Sequence, residues 1–80
     1  MSKRQQFKKA IRWIELKGNL LEGRLFETLI GNVWEVQRVT LLKRELMATP
    51  IHKLGGVAEK AFEGEQIRIL EPWEEIRYKL

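Results

Sequence analysis

Gly23-Arg24-Leu25-Phe26-Glu27-Thr28-Leu29-Ile30-Gly31-Asn32-Val33-Trp34-Glu35-Val36-Gln37-Arg38-Val39 is the stretch on which the fold turns. Gly31-Asn32 separates two segments rich in strand-forming residues, Leu25 to Ile30 and Val33 to Val39, and a glycine at the first central position suits a type II′ hairpin turn. Val33, Trp34, Val36, Val39 and Thr40 lose rotamer freedom in helices and favour the pleated surface of a sheet. The same residues also carry a helical pattern: Leu21, Leu25, Leu29, Val33 and Val36 recur at spacings of four, four, four and three. Asn19 and Asn32 are each followed three residues later by a glutamate, Glu22 and Glu35, as in helix-opening capping boxes. Glu27 interrupts the apolar alternation, so periodicity leaves both readings open. The hairpin is the primary expectation. Its alternative is a mostly α chain, a helical hairpin or bundle with a C-terminal β-hairpin.

Towards the N-terminus, Ser2 to Lys17 reads as a helix, with Phe7, Ala10, Ile11 and Ile14 at helical spacing and Gly18-Asn19 closing it. Towards the C-terminus, Thr49-Pro50 and Gly55-Gly56 are breaks, and Val57 to Phe62 has room for one or two helical turns. Glu65 to Leu70 alternates as a strand, Glu71-Pro72 turns the chain, and Ile76 to Leu80 alternates again, so the last quarter reads as β.

Eighty residues hold one core, and 44% hydrophobic with 32% charged residues is the balance of a globular chain rather than a disordered one. The absence of cysteine removes disulfides, thiolate metal sites and cysteine nucleophiles together, and makes a reducing cytoplasm the expected compartment. No apolar run is long enough to span a bilayer, and no membrane partner is expected. The net charge of +4 is uneven. Lys3, Arg4, Lys8, Lys9, Arg12 and Lys17 against Glu15 give +5 for residues 1–17 and leave −1 for the rest. Such a block is the electrostatic footprint of a nucleic-acid or anionic-surface contact, or else a solvated helix face.

The residues Gly23 to Val36 resemble, without a gap, the opening hairpin of bacterial and plastid translation initiation factor one, and more loosely other RNA-binding OB-fold domains. Ile51-His52 is similar to the third-strand segment, and Val57 to Phe62 stands where the short helical connection would be. Gly64 to Ile69 resembles the fourth strand with its Gly-acidic entry, and Ile76 to Lys79 the last. The resemblance implies a mainly β fold: a small five-stranded OB-type barrel over residues 19–80, preceded by a basic helical extension over residues 1–18. It further implies RNA rather than DNA as partner, with the ribosome as a setting. A second resemblance, of Gly64 to Ile69 with Ile76 to Leu80, is to swapped-hairpin DNA-binding antitoxins, with Val39 to Leu46 as the first strand and helix entry. It implies a dimeric DNA-binding regulator.

The chemistry points to binding rather than catalysis. His52, the only histidine, has no second histidine or cysteine with which to share a metal and no activated nucleophile beside it. The carboxylates are interleaved with cations, and Gly55-Gly56 lacks the rest of a nucleotide fingerprint, so no enzyme activity, cofactor or metal is expected. Single-stranded RNA is held by cations that track its backbone and aromatic faces on which bases stack. The expected nucleic-acid contacts are Trp34 and His52 for stacking, with Arg38, Lys43, Arg44, Lys8, Lys9 and Arg12 for phosphates. Trp13 and Trp73 are expected to be core, while Trp34 is divided between core and stacking. The alternative helical reading makes the chain a protein-interaction module that oligomerises through the Leu21 to Val36 stripe.

Overall fold

The computed structural model describes residues 6–51 and 59–79. Within them the chain runs β1 (Lys8–Lys9), α1 (Ala10–Lys17), a 3₁₀ turn (Gly18–Leu21), β2 (Leu25–Thr28), β3 (Val33–Thr40), β4 (Glu45–Pro50), β5 (Lys60–Phe62), β6 (Gln66–Ile69) and α2 (Pro72–Lys79). The strands form one antiparallel sheet in the order β1-β6-β2-β3-β4-β5. The mainly β expectation holds, and residues 20–47 are not helical hairpins. No helix among the described residues is long and apolar enough to cross a membrane.

The decisive reversal lies where the hairpin reading placed it, with a different turn. The Gly31 N–H donates to the Thr28 carbonyl at 2.9 Å and the Thr28 N–H to the Asn32 carbonyl at 2.9 Å, so Leu29, Ile30 and Gly31 form a three-residue loop. Gly31 has φ +94°, a left-handed conformation that closes such loops and that glycine adopts without a Cβ penalty. β2 therefore stops at Thr28, two residues before the expected end.

Four elements differ from expectation, the first being β4, which runs through Thr49-Pro50, where a break was expected, and ends before Ile51, where the third strand was expected. Helix α1 begins at Ala10, and Lys8 and Lys9 leave the expected helix to pair with Ile67 and Gln66 of β6, since that strand offers them a free edge. Where helical turns were expected up to Phe62, Lys60–Phe62 is a strand that pairs with Leu46–Ala48 and turns the Phe62 ring into the core. The strand expected at Ile76 to Leu80 is instead helical from Pro72 to Lys79. Pro72 stands at its first position, and the Glu74 carboxylate reaches back to the Glu71 N–H at 2.9 Å, as in a capping box.

The two faces of the sheet are closed by different means. On the inner face Phe26, Val36, Leu46, Ala48, Phe62 and Ile67 form one cluster with Ala10 and Ile14 of α1 and with Leu21. Phe62 meets Phe26 and Trp34 edge-on, each at 5.0 Å between ring centroids. A register shift between Val36 and Arg38 lets Val39 return to this face, opposite Leu46. On the outer face Glu27 and Arg68 are register partners on β2 and β6, and both are buried. Arg68 donates to Glu27 at 2.7 Å and, in a two-pronged grip, to both oxygens of Glu74 on α2 at 2.9 and 2.7 Å. The hydrogen bonds that Arg68 donates to Glu74, opposed by burial and aided by Glu27, raise the Arg68 pKa above its already high ordinary value, so Arg68 keeps its charge at every working pH.

Because Phe62 anchors β5 in the core, Phe62→Ala is expected to cost about 3–5 kcal/mol in urea unfolding and Phe62→Leu about 1 kcal/mol. Leu42→Ala, at a fully exposed loop position, should stay within about 0.5 kcal/mol. Equal, small effects at both positions would mean that Lys60–Phe62 is not a strand of this sheet.

Candidate nucleic-acid interface

Of the eight expected contact residues, His52 lies outside the described residues. Five of the others are brought towards one side of the domain by the packing of α1 against the sheet. Lys8 and Lys9, exposed on the edge strand β1, lead straight into α1, where Arg12 is also exposed. Together with Ile11 and Glu15 they line an open cleft of about 550 Å³. The α1 helix ends at Gly18, which has φ +51° and donates its N–H to the Ile14 carbonyl. A Cβ at Gly18 would lie 3.7 Å from the Leu41 side chain, so the end of α1 rests against the β3–β4 loop. That loop carries Lys43 and Arg44, and Arg44 bridges to Glu15 at 3.4 Å. The bridge is largely exposed and worth at most about 1 kcal/mol. What it contributes is proximity: it joins a cation of the β3–β4 loop to those of α1 and offsets the one carboxylate of the cleft.

Arg44 also has φ +51°, the only non-glycine residue with positive φ among the described residues. A side chain in that region costs roughly 1–2 kcal/mol. The loop thus holds a charged side chain at a backbone position suited to glycine, and outliers of this kind gather at functional sites.

Trp34 and Arg38 do not join this face. The Trp34 side chain is on the inner face, half-buried against Phe62, with the Lys60 ammonium 6.0 Å from its ring centroid and 4.7 Å from that of Phe62. Its indole Nε1 is buried without a hydrogen-bond partner, as are the Trp13 Nε1 and the Thr28 hydroxyl. Arg38 is paired with Met47, on the opposite side of the sheet from Val39 and Leu46, and bridges to Glu59 at 3.3 Å. Trp13 packs against the core as expected, whereas Trp73 is 66% exposed on α2 because that helix turns its carboxylates, not its indole, to the sheet.

No local pattern singles out Lys60, which reaches Trp34 only because β5 is a strand. Arg24 and Arg68 were equally hidden, since a charged residue alternating with isoleucines reads as solvated surface. No protein-family model, curated protein or solved structure matches this chain.

Arg44→Gly separates backbone strain from the ion pair. Unfolding in urea should show stability unchanged or raised by up to about 1 kcal/mol, because glycine relieves the backbone. A marked loss of stability would show that the Glu15–Arg44 bridge, not the backbone, dominates at this position.

Proposed function

We propose that this domain binds single-stranded nucleic acid, RNA in preference to DNA, without catalysing a reaction. The observation that carries the reading is the meeting of α1 and the β3–β4 loop at Glu15–Arg44, which joins Lys8, Lys9 and Arg12 to Lys43 and Arg44 across some thirty positions of sequence. These side chains would neutralise successive phosphates and release condensed counterions. Phosphate contacts of this kind fix position rather than sequence, so broad specificity is expected. Trp34 enters as a platform at the rim of the inner face, with Lys60 beside it. His52 completes the reading as a second stacking group. Arg38 contributes phosphate contacts only where a ligand strand wraps round the sheet.

The same reading takes the sheet as a partly open barrel of the OB type, a fold that binds oligonucleotides on the face of its second and third strands. Here β3 and β4 would supply that face, and the ribosome is the setting that the resemblance suggests. The β2-β3-β4 meander with β6 beside β2 supports this reading.

Fluorescence anisotropy with a single-stranded RNA of about 12 nucleotides tests the reading. The logarithm of affinity should fall linearly with the logarithm of salt, with a slope reduced by about 0.7 for each phosphate-contacting cation lost. Lys8→Ala with Lys9→Ala and Arg12→Ala, and separately Lys43→Ala with Arg44→Ala, should each lower both slope and affinity. Affinity independent of salt, or undiminished in both variants, would rule the cationic face out.

A further inference from the structure

Helix α2 lies over the outer side of β2 and β6, yet no residue of it is fully buried, the Glu74 and Glu75 side chains being the most covered at 18% and 12% exposed. Two of its apolar residues, Trp73 and Ile76, stay largely exposed, at 66% and 56%. Glu74 grips Arg68 through both carboxylate oxygens at 2.9 and 2.7 Å. Glu75 accepts from the Arg24 guanidinium at 3.1 Å and from the Leu25 N–H at 2.9 Å, and the Lys79 ammonium donates to the Gly23 carbonyl at 3.1 Å. An eight-residue helix is not stable in isolation. Two carboxylates holding two guanidiniums are the strongest of the contacts that dock it.

A guanidinium takes a phosphate in the same two-pronged geometry by which Arg68 takes Glu74. Lifting α2 would not strand a bare charge, because Arg68 keeps Glu27 as counter-ion at 2.7 Å. It would uncover Arg68 and release Arg24, whose side chain is already 36% exposed, from the next carboxylate along the helix, Glu75. We propose that α2 is a detachable acidic strap that masks a phosphate-binding pair, Arg24 and Arg68, on the face of the sheet opposite α1. Nucleic-acid phosphate is the occupant, a choice that rests on the function proposed above, whereas the strap itself does not. Phosphate and the strap compete for the same donors, so the apparent affinity of this second site is reduced by the fraction of molecules in which α2 is docked.

The test compares the full chain with Glu74→Gln/Glu75→Gln and with that variant carrying Arg24→Gln as well. Amide hydrogen exchange reads the docking of α2, and anisotropy with a single-stranded oligouridine of about 12 nucleotides at about 50 mM salt reads binding. In the unaltered chain the α2 amides should exchange at least about tenfold faster than those of the β2–β3 ladder. In Glu74→Gln/Glu75→Gln they should exchange faster still with the ladder unchanged, and RNA affinity should rise about fivefold to tenfold. Arg24→Gln should take most of that gain away. Glu22→Gln/Glu63→Gln, which removes two exposed carboxylates outside α2, should change affinity by less than about twofold, separating unmasking from net charge. If the double variant fails to fold, as loss of ladder protection would show, Glu75→Gln alone carries the test.

Exchange of α2 in step with the ladder, or release of α2 without a gain in affinity, overturns the proposal. Repeating the measurement with Lys8→Ala/Lys9→Ala/Arg12→Ala separates the two sites. A gain that persists there upholds the strap whatever becomes of the α1 face, while undiminished basal binding with no gain on release defeats the strap alone.

Discussion

Burial of the Glu27 carboxylate on β2 is the constraint from which the rest of the architecture follows. β2 is buried on both sides: Phe26 enters the aromatic cluster on the inner face, and Leu25 and Glu27 lie under cover on the outer one. A buried carboxylate without a partner costs several kcal/mol, so a cation must be brought to it. Arg68 supplies that cation from β6, and the pairing of Glu27 with Arg68 sets the register in which Ile67 enters the core cluster and Ile69 packs against it. The donors of Arg68 that remain then define where the carboxylate of α2 must sit.

This dependence divides the domain into parts of unequal firmness. The inner face is held by apolar contact among α1, the strands and the three edge-on rings, which salt does not weaken. The outer face is held largely by charges, and no residue of α2 is fully buried on it. A basic face formed by α1 and the β3–β4 loop therefore rests on rigid packing, while Arg24 and Arg68 rest under an element whose grip is mainly polar and ionic. One domain can in this way present one cationic surface constantly and a second conditionally.

How much of this was legible follows from the same asymmetry. The reversal at Gly31 could be read because a glycine able to take positive φ stands between two runs of strand formers. α1 was legible from Ala10 to Gly18, as Ala10 and Ile14 sit four apart on one buried side. Glu27 looked like a fault in the alternation of β2, and was so only because alternation presumes one wet face. α2 was misread because Ile76, Tyr78 and Leu80 alternate, although Pro72 followed two residues later by Glu74 was a helix-opening signal in plain view. Lys60–Phe62 could not be read, since three residues are too few to show a period and their strand character comes from β4. For the interface, residue types were legible but their grouping was not. The nearness of Glu15 to Arg44, and the separation of Arg38 from Trp34 across the sheet, are tertiary facts that no local pattern carries.

The most direct measurement of the central claim is the state of the Arg68 side chain in solution, read by ¹⁵N-resolved NMR near neutral pH. If Arg68 is locked between β2 and α2, its Nε–H gives one sharp resonance, shielded from solvent exchange, with nuclear Overhauser contacts to the side chains of Glu27 and Glu74. An Arg68 Nε–H that exchanges as freely as those of surface arginines, with no contact to Glu27, would contradict the account at its root.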